Sequence, residues 1–230
     1  MRSHEQITRI KQRISSPYVI SNFISADEIE HLVNLYKDHP ALVKKNTGPV
    51  TLNLMLCVDD VVNNILGRLQ EHIGKFEITA ALFFKTDYPH VIHNDDTYEL
   101  PEGVYKAITL PLKAYGEFTE YPKLCFFEQF YFHGPAKFFN GDSNIDTYFN
   151  QCLYDYKNVD GLVETEITDT EQLFTHLKPK WLNGLSLHNT LPWVPSSAII
   201  FDSVRLHCAS DFRPLGITSK LGLSIFTKVA

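Results

Sequence analysis

The sequence predicts an α+β domain, with helices in the amino-terminal third packed against a largely antiparallel sheet or double-sheet barrel. Apolar residues recur at helical spacing in the first third of the chain. From residue 76 onwards they alternate with a period of two, and aromatic residues, which suit pleated surfaces, are plentiful. Because 230 residues suit one sizeable core, we expect a single domain over residues 1–230.

Two helices are expected before the sheet. Ser25 and Glu28 have the spacing of a capping box, and Ile29 and Leu32 follow on one face. The second helix is predicted over about residues 60–73, where apolar side chains recur three and four positions apart. Upstream of both, residues 1–16 are polar, and we expect a short helix or a loose arm there.

The later part of the chain is predicted to form the sheet. In the last strand Leu221 and Leu223 should share one face and Gly222 the other, because side chains alternate along a strand. Five segments are rich in β-branched and aromatic residues and are expected to be strands: 76–85, 104–113, 124–132, 197–202 and 220–228.

Residues 134–190 break this pattern. They are irregular and aromatic-rich. We interpret them as an insertion on the barrel, placed before the strand of the distal histidine, His207, and not as a second domain. Long excursions of this kind often serve as lids or interfaces. The sequence therefore leaves open whether this segment closes over a site or forms the contact of a homodimer.

Charge and composition exclude several classes of protein. The formal net charge is −6, whereas nucleic-acid binding needs a basic surface, so no nucleic-acid partner is expected. The four cysteines form no C-x-x-C pair, which disfavours structural zinc and a disulfide framework. No apolar run approaches the roughly 20 residues that span a bilayer, and the polar first residues lack a signal-peptide core. We therefore expect no membrane partner and a cytoplasmic location.

Three residues have the chemistry of a metal site. His93 and Asp95 are two positions apart, so on an extended chain both side chains point to the same face. His207 lies far downstream, after another predicted strand. Two imidazoles and one carboxylate on adjacent corners of an octahedron suit iron(II) and leave positions for other ligands.

The H-x-D pattern, the distal histidine and Lys220 at the start of the following strand together resemble the 2-oxoglutarate/iron(II)-dependent dioxygenase superfamily. The resemblance implies a double-stranded β-helix, a jelly-roll or cupin-like barrel, with the amino-terminal helices packed on it. It implies that His93, Asp95 and His207 are the catalytic iron(II) ligands. It also implies that 2-oxoglutarate and dioxygen are co-substrates and that Lys220 pairs with the far carboxylate of 2-oxoglutarate.

A second lysine competes for this role. Lys106 lies on the strand after the H-x-D pattern, and some branches of the superfamily anchor 2-oxoglutarate from that strand. We favour Lys220 because its spacing from the distal histidine is more usual. Thr109 is a candidate for an accompanying hydroxyl.

The resemblance implies hydroxylation of a small metabolite, an amino acid or a sugar-like substrate, with release of succinate and carbon dioxide. Gln129, Tyr131 and Arg213 are the candidate substrate contacts. Peptidyl hydroxylation of the prolyl type is the alternative within the class. A cupin-type metal enzyme that needs no 2-oxoglutarate and a non-catalytic jelly-roll binding protein are the alternatives outside it.

Overall fold

The computed structural model has three helices and two antiparallel sheets in its described part. No helix there combines the length and apolar character that a bilayer span requires. The structure describes residues 2–38, 50–53, 59–97, 100, 103–136, 159–163 and 171–230.

Helix α2 begins at the capping residues that the sequence indicates. Helix α1 spans His4–Lys11, α2 spans Ala26–Asp38 and α3 spans Asp60–Ile73. Before α2, the Ser25 hydroxyl accepts from the Glu28 N–H at 3.1 Å and the Glu28 carboxylate accepts from the Ser25 N–H at 2.8 Å. This reciprocal pair satisfies two donors that the helix start would leave without partners.

The larger sheet has six strands in the order β1-β7-β4-β9-β3-β2. It is built around the long strand β9, which pairs antiparallel with β3 on one side and β4 on the other. The strands are β1 (Tyr18–Ile20), β2 (Val50–Asn53), β3 (Phe76–Thr86), β4 (Lys106–Gly116), β7 (Ala198–Asp202) and β9 (Ile217–Val229).

The smaller sheet has the order β6-β5-β8, formed by β6 (Leu187–Pro192), β5 (Lys123–Phe130) and β8 (Arg205–Ala209). A one-residue bridge between His93 and His207 adds the segment around His93 to its β8 edge. The chain crosses repeatedly between the two sheets, because β4 and β7 belong to the larger sheet whereas β5 and β8 belong to the smaller one.

Three apolar clusters stack the elements in layers. One packs α2 and α3 against the outer face of the larger sheet and includes Leu221 and Leu223. The second lies between the sheets, where the Phe126 and Phe201 rings are 5.0 Å apart. The third covers the outer face of the smaller sheet with side chains from residues 173–185. The metal-site candidates therefore lie on a sheet that is packed on both faces.

The predicted α+β class with antiparallel sheets is confirmed, and so are both helices and all five strand segments, with ends that differ by a few residues. The strands β2, β6 and β8 were not predicted from the sequence, and each is only four to six residues long. Strands this short hold too few alternations for a period of two to stand out. The expected excursion over 134–190 is described only in part, and its described residues 171–185 lie on the smaller sheet.

Candidate metal centre

The two histidines face each other across an antiparallel ladder. The His93 N–H donates to the His207 carbonyl and the His207 N–H donates to the His93 carbonyl, each at 2.9 Å. Such a pair places the two Cα atoms about 5.5 Å apart with both side chains on one face. The ring centroids are 4.2 Å apart, so backbone pairing alone brings the two imidazoles together.

Asp95 completes the group. Its N–H donates to the Ser203 carbonyl at 2.8 Å, which holds the residue beside the turn before β8. The Asp95 carboxylate lies 3.5 Å from Nε2 of His93 and 3.4 Å from Nε2 of His207. Adjacent octahedral ligands at about 2.1 Å from a metal are roughly 3 Å from each other. One distance is to Oδ1 and the other to Oδ2 of Asp95, and one ligand atom from each of the three residues lies within 4.8 Å of the others, so the three residues are close enough to surround one ion.

The hydrogen bonds of the imidazoles also fit a metal. Nδ1 of His93 lies 2.7 Å from the Val91 carbonyl, and Nδ1 of His207 lies 3.0 Å from the Arg205 carbonyl. A carbonyl only accepts, so each Nδ1 donates a proton to its carbonyl and each Nε2 is the atom that faces Asp95 and that, once deprotonated, would bind a metal. Burial acts to raise the pKa of the Asp95 carboxyl, but His207 and His93 together hold that pKa well below its ordinary value. A carboxylate and two neutral imidazoles form a donor set that iron(II) accepts.

The residues between and beside the ligands anchor the loop. Asn94 is buried: its amide donates to the Tyr131 and Gly134 carbonyls at 3.1 and 3.0 Å and accepts from the Ala136 N–H at 2.7 Å. Asp96 is also buried and forms a two-pronged ion pair with Arg2. Alternation along the chain therefore directs the His93 and Asp95 side chains to the metal site, and the side chains of Asn94 and Asp96 into the surrounding fold. Nothing local in the sequence marks Arg2 as the partner of Asp96.

Lys220 lies on the inner face of β9, as the alternation predicts. Its ammonium is 5.0 Å from the Trp193 ring and 5.4 Å from the Phe212 ring. It is 4% exposed, and no carboxylate in the described ranges pairs with it. Burial lowers the pKa of Lys220 to about 8. Trp193 belongs to the same inner cluster as Phe126 and Phe201, whose rings contact His207, so Lys220 and the metal group line one interior.

Lys106 and Thr109 lie elsewhere on β4. The Lys106 ammonium donates to the Asp202 carboxylate at 2.6 Å and to the Ser15 hydroxyl at 2.8 Å. Thr109 pairs with Ser224, whereas Lys220 pairs with Ala114. The four steps from Lys220 to Ser224 along β9 correspond to about 13 Å between Cα atoms, so Thr109 and Lys220 lie at different points along the sheet.

The three candidate substrate contacts have partners within the fold. The Gln129 amide donates to the Gly161 carbonyl at 2.8 Å and accepts from the Ser186 N–H at 2.9 Å, which joins two parts of the excursion to β5. Tyr131 packs in the outer cluster of the smaller sheet. Arg213 forms a two-pronged ion pair with Asp211 at 2.9 and 2.7 Å. None of the hydrogen-bond and ion-pair partners just named for Gln129 and Arg213 belongs to the metal group.

Comparisons with known proteins give the fold. No family model matches the sequence, and no curated protein sequence does either. Among solved structures, the chain resembles SnoN from nogalamycin biosynthesis, a non-haem α-ketoglutarate-dependent epimerase. The alignment covers 98% of this chain and 83% of that chain, with a TM-score of 0.55 and 13% identity.

Two further solved structures are prolyl hydroxylases. The viral collagen prolyl hydroxylase vCPH from Paramecium bursaria Chlorella virus-1 aligns over 94% of this chain and 97% of its own, with a TM-score of 0.51 and 13% identity. A prolyl-4-hydroxylase from Pseudomonas putida aligns over 93% and 92%, with a TM-score of 0.51 and 11% identity. The chain thus has the fold of 2-oxoglutarate/iron(II)-dependent enzymes, and the resemblance that the H-x-D pattern and distal histidine indicated is confirmed at the level of the fold.

Proposed function

We propose that this protein is a 2-oxoglutarate- and iron(II)-dependent oxygenase with His93, Asp95 and His207 as the iron ligands. The observation that carries the proposal is the convergence of two Nδ1-protonated imidazoles and one carboxylate on the fold of such enzymes. The two sheets are then the two halves of a double-stranded β-helix. SnoN has been crystallised with Fe3+ and α-ketoglutarate, which supports the same pair of cofactors here.

Lys220 is the proposed anchor for the far carboxylate of 2-oxoglutarate. A buried ammonium without an internal counter-ion is costly, and a dianionic co-substrate would supply the missing charge. Lys106, the alternative, already has Asp202 as its counter-ion. The aromatic contacts from Trp193 and Phe212 hold the Lys220 side chain in place and keep water from its charge.

The protein contributes binding, orientation and exclusion of water. When bound, iron(II) and 2-oxoglutarate together supply the dioxygen-dependent oxidation of a substrate, with release of succinate and carbon dioxide. The Val91 and Arg205 carbonyls fix the orientation of the two imidazoles. Phe126 and Phe201 pack against His207 and make its surroundings apolar, which strengthens electrostatic interactions inside the site.

The proposed substrate is a small molecule, a metabolite, an amino acid or a sugar-like unit. SnoN, whose complex contains the natural-product molecule nogalamycin RO, supports that class. Peptidyl hydroxylation of the prolyl type is the second candidate, because two of the structural neighbours are prolyl hydroxylases. The intact ligand set argues against a binding protein without catalytic activity.

Several expectations from the sequence stay predictions. They are the single domain over residues 1–230, the role of 134–190 as a lid, a homodimer, the absence of nucleic-acid and membrane partners, and a cytoplasmic location. The contacts of Gln129, Tyr131 and Arg213 with substrate also stay predictions, as does a role of Thr109 or Lys106 towards 2-oxoglutarate.

An anaerobic titration tests the proposal. Purified apoprotein would receive iron(II) and then 2-oxoglutarate while the weak visible charge-transfer band of the chelate is followed. We expect a band that saturates at one equivalent, and no band in Asp95→Ala. If iron binds without a band, a cupin-type enzyme becomes the better interpretation. If iron does not bind at all, the chain is a binding protein on an oxygenase fold.

A further inference from the structure

Arg205 is a second buried cation close to the metal group. It is the first residue of β8, two positions before His207, so its side chain leaves the strand on the same face. The intervening Leu206 packs in the cluster on the opposite face of the sheet, as does Cys208. The Cα atoms of Arg205 and His207 are therefore about 7 Å apart on one regular strand.

The Arg205 guanidinium has only part of its hydrogen-bonding capacity satisfied. Nη1 donates to the Phe127 carbonyl at 2.8 Å, and the guanidinium carbon lies 4.3 Å from the centroid of the Phe130 ring. The residue is 4% exposed, and Nε is buried without a hydrogen-bond partner. Nη2 likewise has none in the part of the chain that the structure describes.

Neither of the carboxylates whose charges act on Arg205 is paired with it. They are Asp202 and Glu128. Asp202 is bound by Lys106 at 2.6 Å, and Glu128 is bound by His188 at 2.7 Å. Burying a cation without a hydrogen-bonded counter-ion destabilises the fold, so the position has a cost that packing against Phe130 offsets only in part.

The two atoms without partners form one edge of the guanidinium. Nε–H and Nη2–H are parallel donors, spaced to match the two oxygens of a carboxylate. Nη1, on the other side of the group, donates its hydrogen bond to the Phe127 carbonyl. The aromatic ring of Phe130 and the Phe127 carbonyl thus hold the guanidinium in a fixed plane, with no hydrogen bond to its Nε–Nη2 edge from the described part of the chain.

We propose that Arg205 is a specificity-determining residue whose Nε–Nη2 edge binds a carboxylate group of the substrate that the enzyme oxidises. This inference rests on the proposed oxygenase function and narrows its substrate class to carboxylate-bearing small molecules, such as an amino or hydroxy acid. The metal group and Arg205 share one face of β8, which places the carboxylate near the reacting centre.

The register of β5 separates this position from that of 2-oxoglutarate. Arg205 pairs with Phe130 at one end of β5, and His207 pairs with Phe126 in its middle. Trp193, which contacts Lys220, is hydrogen-bonded to Pro122 just before the other end. The strand between these ends measures roughly 20 Å. Lys220 and Arg205 therefore lie on opposite sides of the metal group, so that Lys220 would bind 2-oxoglutarate and Arg205 the substrate.

Benzoate tests this inference, with benzamide as its uncharged isostere and inorganic phosphate as a tetrahedral anion. Dissociation constants would be measured anaerobically by calorimetry, on the apoprotein and on protein loaded with iron(II) and 2-oxoglutarate. Arg205→Met removes the charge, and Arg205→Lys retains the charge without the two-pronged edge. Arg68→Met is the matched control, because Arg68 also lies over a phenylalanine ring and donates to a phenylalanine carbonyl but has Glu28 as its counter-ion.

We expect benzoate to bind wild type and Arg68→Met alike, at least tenfold more weakly to Arg205→Met, and with intermediate affinity to Arg205→Lys. Benzamide should bind all four proteins weakly, and the affinity for 2-oxoglutarate should be unchanged in both Arg205 variants. Equal benzoate binding by wild type and the two Arg205 variants, or no benzoate binding by wild type, overturns the inference. So does tighter binding of phosphate than of benzoate.

Loss of 2-oxoglutarate affinity in Arg205→Met would also overturn it, since the residue would then contact the co-substrate. The apoprotein titration keeps the two proposals apart. If no chelate band forms in wild type, the oxygenase proposal fails, whereas the benzoate measurement still reports whether Arg205 binds a carboxylate. Circular dichroism of each variant identifies any loss of fold, and Arg205→Lys decides the question if Arg205→Met does not fold.

Discussion

Lys106 and Asp202 form a buried ion pair between directly opposed residues of β4 and β7, with Nζ and Oδ1 2.6 Å apart. The pair is reinforced by Ser15, whose N–H donates to the Asp202 carboxylate at 2.7 Å and whose hydroxyl accepts from Lys106. One of the two interior lysines thus has a counter-ion within the fold, whereas no carboxylate in the described part of the chain pairs with Lys220, whose ammonium lies near the Trp193 and Phe212 rings.

We expect substitution of the two lysines to separate stability from co-substrate binding. Lys106→Met leaves the Asp202 carboxylate buried without its cation, and breaking a buried pair in this way costs about 3–5 kcal/mol of unfolding free energy. Lys220→Met should raise the dissociation constant for 2-oxoglutarate at least tenfold without that loss. Urea unfolding and 2-oxoglutarate titration check both expectations. The opposite ranking in the titration would move the anchor to β4.

The affinity for 2-oxoglutarate should fall as pH rises through about 8, the pKa of Lys220 in the absence of co-substrate. The ammonium binds a dianion and the neutral amine does not, so the dissociation constant should increase up to about tenfold per pH unit above this value. Lys220→Arg should show no such rise below pH 10, because arginine stays charged. A wild-type affinity that does not change between pH 7 and 9.5 would contradict the prediction.

The unfolding free energy of the apoprotein should contain a contribution from Lys220 that rises with pH above about 8, whereas the affinity for 2-oxoglutarate falls. Lys220 has a pKa of about 8 in the fold and an ordinary value of 10.5. Between these values the unfolded chain binds more protons than the folded one, so the contribution of Lys220 to stability rises with pH. Unfolding free energies of wild type minus those of Lys220→Met, measured from pH 7.5 to 10, should increase steadily.

His93→Ala and Asp95→Ala should each abolish one-equivalent iron(II) binding and turnover while the circular dichroism spectrum stays that of wild type. Each change removes a ligand from a group of three, and the backbone bonds between His93 and His207 do not depend on the side chains. His188→Ala is a suitable control, because His188 pairs with Glu128 near the surface. Succinate production at the wild-type rate in either ligand variant would refute the assignment.

Asn94→Ala should lower the unfolding free energy by about 2–4 kcal/mol, because it leaves two carbonyls and one N–H without their partner in a buried setting. Iron(II) affinity should fall as well, since the loop that presents the two neighbouring ligands loses its attachment to residues 131–136. Metal titration and thermal unfolding of the same preparation test the two effects together. A wild-type melting temperature would show that Asn94 does not anchor the loop.

The sequence indicated those features that depend on local pattern. Period-two alternation placed Lys220 and Gly222 on the inner face of β9, and the spacing of His93 and Asp95 put both side chains on one face. A β-carbon at Gly222 would lie 2.6 Å from the Phe84 ring, so this position needs glycine for space.

What the sequence could not indicate depends on pairs distant along the chain. Lys106 stayed the alternative to Lys220 until Asp202 was placed opposite it. The burial of Arg205 has no local mark in the sequence, because β8 is too short to be recognised. Register, and not residue type, separates Thr109 from Lys220, and register is fixed only when all the strands assemble.

Arg2 forms a two-pronged bond with Asp96. The second residue of this chain therefore helps to support Asp95, the metal-ligand candidate that precedes Asp96. Preparations that differ at this end, through a fused affinity tag or removal of the first few residues, would then differ in metal content even if their barrels are equally well folded. A tag attached after Ala230 leaves this bond untouched. Side-by-side iron analysis of protein tagged at either end is therefore a sensible check before any kinetic comparison is made.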